Sequence, residues 1–138
     1  MRWLALDVGT RRVGVAVCDA GETVTTPLAA LTFGSAEQLA VRVAALAGER
    51  EIGGIVVGLP VTLAAASRGE QRVRAVVAAL ARLVAVPVVT VDERGTTAVA
   101  EERLREAGVP ARRLRSVVDS VAAQVILDDF LARRKRSG

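Results

Sequence analysis

Three positions in this chain combine a carboxylate with a setting in which a carboxylate is costly: Asp7, the pair Asp92-Glu93, and Asp119. Asp7 follows Trp3-Leu4-Ala5-Leu6, an apolar run without alternation that reads as a strand covered on both faces. Asp92-Glu93 end a similar run, Val88-Val89-Thr90-Val91. Asp119 shares a helical face with Ala122, Ala123, Ile126, Leu127 and Phe130, at i+3, i+4, i+7, i+8 and i+11. Charges delivered to rigid, buried elements need a counter-charge. Histidine is absent, which excludes Ser-His and Cys-His nucleophiles and His-based zinc sites. A lone Cys18 excludes a disulfide within the chain and argues against a cysteine zinc site. Hydrolysis near neutral pH would then need a metal ion to lower the pKa of bound water. An oxygen-rich cluster of acids suits Mg²⁺ or Mn²⁺.

Each acid also has a plainer reading. Asp7 could nucleate the turn at Gly9-Thr10 through its own side chain. Asp92-Glu93 could complement the dipole of the helix that follows. Ser116 and Asp119 fit the [ST]-x-x-[DE] capping pattern, which would spend Asp119 on a backbone N–H. Asp128 and Asp129 read as surface charges.

The elements that must position these acids follow from the same patterns. Residues 3–8 and 13–17 form a hairpin around Gly9-Thr10, and a third strand runs from Thr23 past Pro27 towards Leu31. Pro27 marks that strand as an edge. Ser35-Ala36-Glu37-Gln38 and Ser67-Arg68-Gly69-Glu70 are capping boxes that open two helices. The spacing predicts a fourth strand over 52–58, stopped by Leu59-Pro60, and a fifth over 87–91. A third helix spans about 96–107, closed by Gly108 with Pro110 beyond. The last helix is expected from about Ser116 into a basic tail at 133–138. Three antiparallel strands followed by alternating helix and strand predict an α/β fold, a five-stranded mixed sheet with helices on both faces. Ligand sites in such sheets lie at the carboxyl ends of parallel strands, where Asp7 and Asp92-Glu93 would converge.

The chain's 138 residues suffice for one domain, 1–138, and not for two. No apolar stretch reaches the ~18 residues of a membrane span and no signal peptide opens the chain, so a cytoplasmic protein is expected. The net charge of +4 lies wholly in residues 112–138, where seven basic side chains face three acidic ones. Arg112, Arg113, Arg115 and the tail Arg133-Arg134-Lys135-Arg136 therefore suggest a polyanion partner, with a merely solvated tail as the alternative. Aromatics are only Trp3, Phe33 and Phe130, too few for a base-stacking platform. Arginine supplies eighteen of the nineteen basic groups, which suits bidentate phosphate contacts.

Asp7-Val8-Gly9-Thr10-Arg11-Arg12-Val13-Gly14-Val15-Ala16, Val57-Gly58-Leu59-Pro60, Asp92-Glu93-Arg94-Gly95-Thr96-Thr97 and residues 118–127 (VDSVAAQVIL) resemble the four signature blocks of the YqgF (RuvX) family, in the family's order. The resemblance implies a ribonuclease H-like fold related to RuvC Holliday-junction resolvases. It implies a nuclease maturing the small-subunit ribosomal RNA precursor, with branched DNA as another substrate and ribosomal particles as partners. It makes Asp7, Glu93 and Asp119 the catalytic metal ligands for Mg²⁺ or Mn²⁺, as a pair of ions, with Asp92 and Thr10 auxiliary. Arg11, Arg12 and Arg94 would face the substrate phosphates. Residues 61–67 depart from the family pattern, which has Asn and then Asp-Gly after Pro60. Two other readings stay open: a non-catalytic nucleic-acid-binding factor for ribosome assembly, and an actin-like nucleotide-binding module suggested by Asp7-Val8-Gly9-Thr10. The latter needs a second copy of the domain that 138 residues cannot supply. Monomer and homodimer are equally compatible with the sequence.

Overall fold

The computed structural model describes residues 1–60, 67–93 and 96–137, the side chains of 96–98, 101, 111–117 and 137 excepted. Its centre is β1 (Trp3–Val8), which pairs antiparallel with β2 (Arg12–Cys18) and parallel with β4 (Gly54–Pro60). β3 (Thr25–Thr32) and β5 (Val88–Glu93) are the edges, giving the order β3-β2-β1-β4-β5. Pro27 sits opposite Ala16 on edge strand β3, where its missing N–H interrupts no second ladder.

Side-chain alternation divides β1 between two cores. Leu4 and Leu6 pack with Val13, Val15, Ile55 and Val57 under α1 (Ala36–Glu49) and α2 (Arg68–Leu83). Trp3 and Ala5 pack with Ala16, Val56, Ala123, Ile126 and Leu127, beneath α4 (Ala111–Ser137). Both faces of the sheet are therefore covered, and α3 (Thr96–Glu106) packs against α4. The caps work as their chemistry requires: Ser35 Oγ accepts from the Gln38 N–H and Ser67 Oγ from the Glu70 N–H. Gly108, at φ +80°, closes α3 in a left-handed turn with Gly108 N–H to Arg105 O and Val109 N–H to Leu104 O.

Strand boundaries in β4 and β5 differ from the sequence expectation. β4 starts at Gly54, because the Ile52 N–H is spent on Ala47 O in the turn that closes α1. It runs through Pro60, and β5 runs through Glu93, in the registers Leu59 with Asp92 and Pro60 with Glu93. The acids of β5 are thus inside the strand.

The larger corrections concern α4. It begins at Ala111. Pro110, read only as the residue beyond α3, immediately precedes the first residue of the next helix, where its missing N–H interrupts no helical hydrogen bond. Ser116 therefore lies inside a helix, and Asp119 is not part of a capping box. The basic tail is the end of the same helix, up to Ser137. Arg134 donates through Nε to Glu22 Oε1 at 2.9 Å, and its guanidinium lies 5.0 Å from the Trp3 ring centroid. Arg133 pairs with Asp129 at 2.8 Å. Asp128, expected at the surface, accepts from Thr25 Oγ1 at 2.8 Å and pairs with Arg103 at 3.1 Å.

Candidate active site

Asp7 occupies the β1 position after Ala5 on the α4 face, and its sheet partner on β2 is Gly14. The missing side chain at Gly14 decides what lies above. A Cβ there would collide with the backbone carbonyl of Asp119 and lie 2.9 Å from Ser120 N. Glycine thus lets the α4 backbone rest on β2, and it delivers Asp119 beside Asp7. Ser120, buried in the same contact, has its Oγ 3.5 Å from the Val15 N–H. On the other flank, a Cβ at Gly58 of β4 would lie 2.9 Å from Glu93 Oε2 and 2.6 Å from Ile126 Cδ1. The Glu93 side chain fills the space that Gly58 leaves, on the face where Val89 and Val91 pack. Asp7 therefore stands between two glycines, each of which gives room to one of the other acids.

The consequence is electrostatic. The Asp7 carboxyl is pushed up from 3.8 to about 7, first by burial and then by the charges of Glu93 and Asp119. Asp119 Oδ2 is buried and accepts no hydrogen bond, although Arg12 Nε lies 3.1 Å away as an ion-pair partner. The distance satisfies an ion pair while the N–H is not aimed at the oxygen. Among the described residues no three acids close to ligating distance of one point. What is present is a group of mutually repelling carboxylates with an orphaned buried oxygen, and that charge pattern suits a hard divalent cation.

The remaining candidates divide. Thr10, Arg11 and Arg12 line a cavity of about 550 Å³ with Gly9 and Asp119. Backbone bonds hold this hairpin: Gly9 N–H to Arg12 O at 3.0 Å and Phe33 N–H to Arg11 O at 2.8 Å. Asp92 alternates with Glu93 and is exposed, and both border a cavity beside α4 with Ile126 and Asp129. Arg94, the loop 61–66 and the side chains of Arg112, Arg113 and Arg115 lie outside the described residues. Gly14 and Gly58 are site positions that the pattern of acids and arginines alone does not point to. The signal for them was the glycine placed mid-strand in two otherwise apolar runs, Val13-Gly14-Val15 and Val57-Gly58-Leu59.

This sheet order, with acids gathered at the end of the central strand and a long helix across them, is that of the ribonuclease H-like class. Thermus thermophilus RuvC superposes over 98% of this chain and 97% of its own, with a TM-score of 0.62 at 14% identity. The fowlpox virus Holliday junction resolvase does so over 96% and 99%, with a TM-score of 0.56 at 11% identity. At the sequence level, residues 1–133 match the RuvX family model, described as Holliday junction resolvase, and the chain belongs to that family. A relative in Anaeromyxobacter sp. is 42% identical, over 97% of this chain and 98% of its own length. Another, in Chloroflexus aggregans, is 39% identical, over 96% and 94%. Both carry the name "Putative pre-16S rRNA nuclease".

Proposed function

We propose that this chain is a metal-dependent nuclease that hydrolyses phosphodiester bonds in structured nucleic acid, with the end of the pre-16S ribosomal RNA as its substrate and branched DNA as a second one. The observation that carries the reading is the packing that gathers three acids in a chain without histidine: Asp7 lies opposite Gly14, against which Asp119 rests, and Gly58 leaves room for Glu93. Asp7, Glu93 and Asp119 would hold Mg²⁺ or Mn²⁺, as two ions. Bound there, the metal supplies a hydroxide at neutral pH and stabilises the leaving oxygen. The chain's own residues do the rest. Asp7 is fixed by the central strand, and Asp119 by the helix resting on Gly14. Arg11 and Arg12, on the cavity beside Asp119, would take the phosphates that flank the cut. Arg94, Arg112, Arg113 and Arg115 would extend that basic contact, and Thr10 and Asp92 would be auxiliary.

In this reading residues 1–138 act as one domain, in the cytoplasm and on ribosomal particles. The family match across residues 1–133 favours it over an actin-like nucleotide-binding module. No helix among the described residues is long and apolar enough to cross a membrane. The test is to incubate purified protein with labelled pre-16S RNA, single-stranded RNA and four-way DNA junctions, with Mg²⁺, Mn²⁺ or EDTA. Cleavage of a structured substrate that needs metal and is lost in Asp7→Asn is the expected result. Cleavage that survives EDTA overturns the mechanism. Tight binding without cleavage under every metal condition would make the protein a binding factor instead.

A further inference from the structure

Among the described residues, the Arg12–Asp119 ion pair stands apart from the others, which include surface pairs of the N-terminus with Glu22 and of Arg2 with Glu51. Arg103 and Arg134 tie elements together at the surface, and Arg74 and Arg133 pair along their own helices. Arg12 instead reaches one of the three acids proposed to hold metal, and it reaches the oxygen that has no hydrogen bond. Its backbone is fixed in the hairpin, since its carbonyl accepts from Gly9 N–H and β2 begins with it. Its side chain is half exposed and borders the cavity of about 550 Å³ lined by Gly9, Thr10, Arg11 and Asp119. The side chain therefore has open volume beside it while the main chain has none. An alternative position away from Asp119 needs only side-chain rotation.

We propose that Arg12 is a placeholder cation: its guanidinium neutralises Asp119 while no metal is bound, and moves to a phosphate of the nucleic acid when metal takes the carboxylate. The idea rests on the nuclease reading above and deepens it. A guanidinium and a divalent cation compete for Asp119 because a buried oxygen beside other acids carries charge that either one can balance. The competition has a purpose. A site with three uncompensated acids repels the phosphates of its own substrate. With Arg12 on Asp119, that repulsion is reduced before metal arrives. Once released, the same guanidinium is a fork suited to phosphate, which a lysine would not reproduce.

The thermodynamic signature is specific. Removing Arg12 deletes a competitor of the metal and a partner of the nucleic acid, so the two affinities should move in opposite directions. A purely structural arginine would weaken both or neither. The experiment measures Mn²⁺ binding by calorimetry to the nucleic-acid-free protein, for wild type, Arg12→Ala and Arg12→Lys. It also measures binding of a four-way DNA junction with non-cleavable phosphorothioate linkages to each, at saturating Mn²⁺. Arg12→Ala should bind Mn²⁺ about fivefold more tightly, the factor equivalent to a partly exposed ion pair of ~1 kcal/mol, and bind the junction more weakly. Arg12→Lys keeps the charge without the fork, so it should stay near wild type for Mn²⁺ yet lose junction affinity. Arg12→Ala with unchanged or weaker Mn²⁺ binding, while wild type binds Mn²⁺ normally, overturns the placeholder and leaves the nuclease reading standing. No Mn²⁺ binding by any of the three overturns both. Should Arg12→Ala not fold, Arg12→Gln takes its place with the same expectations.

Discussion

Asp7 is the residue on which folding and function make opposite demands. Its carboxyl titrates near 7 in the folded chain against 3.8 without those surroundings, because burial and two neighbouring acids disfavour the charge. Between those values the folded chain holds a proton that the unfolded chain has released. Stability of the metal-free protein should therefore be fullest below about pH 4 for this group and decline as the pH rises towards 7. The loss is a few kcal/mol at most, at about 1.4 kcal/mol per pKa unit. Asp7→Asn removes the titrating group at nearly constant shape. Urea melts of the metal-free variant should show this decline flattened and greater stability than wild type at pH 8, together with loss of cleavage. Added Mn²⁺ should stabilise the wild type more at pH 8 than at pH 5, since a metal ligand must be ionised. A variant whose stability followed pH as the wild type does would remove Asp7 from the cluster.

At the scale of elements, the site depends on how closely α4 approaches the sheet, and the approach is set at Gly14. Gly14→Ala puts a methyl group against the Asp119 carbonyl, so helix and strand must separate. The expected cost is about 1–3 kcal/mol, as for other overpacked contacts, read from urea denaturation. Cleavage should fall further than stability does, because Asp119 moves with the helix while Asp7 stays in β1. Wild-type activity in a destabilised Gly14→Ala protein would show that the site tolerates the shift. These elements were legible in the sequence to an uneven degree. The strands and the caps at Ser35 and Ser67 follow from local chemistry, and the structure keeps them. The position of Asp119 on the apolar stripe of α4 was legible too, because helical period carries through a boundary error. The start of α4 was not. Pro110 served as the end of one helix and hid its place before the next, which left Ser116 looking like a cap. The closeness of β2 and α4 is a contact between residues 105 positions apart, and no local pattern states it.

The molecule as a whole carries its positive excess towards the C-terminus, and the structure changes what that excess can do. Of the tail residues, Arg133 is paired with Asp129 and Arg134 with Glu22. Arg134 also stacks near Trp3 and Phe130, at 5.0 and 5.8 Å from their ring centroids. It binds the end of α4 to the turn after β2 and holds the Glu22 carboxyl below its ordinary value. Lys135 and Arg136 are exposed, with no ion pair among the described residues. A tail of four free cations would change the log–log salt dependence of nucleic-acid binding by up to ~3 to 4 units, at roughly 0.7 to 0.9 per phosphate contact. The paired arginines halve that ceiling. Removing residues 135–138 should make the salt slope shallower by no more than ~2 units while leaving melting behaviour and cleavage at saturating substrate unchanged. Removing 133–138 should add little to the slope but lower stability by about 1 kcal/mol, chiefly through the lost Arg134 stacking, since the partly exposed ion pair itself contributes little. Binding isotherms across a salt series, paired with thermal melts of both truncations, separate the two roles. A slope that falls by the full four-contact amount in the longer truncation, with stability retained, would make the end of α4 a nucleic-acid arm after all.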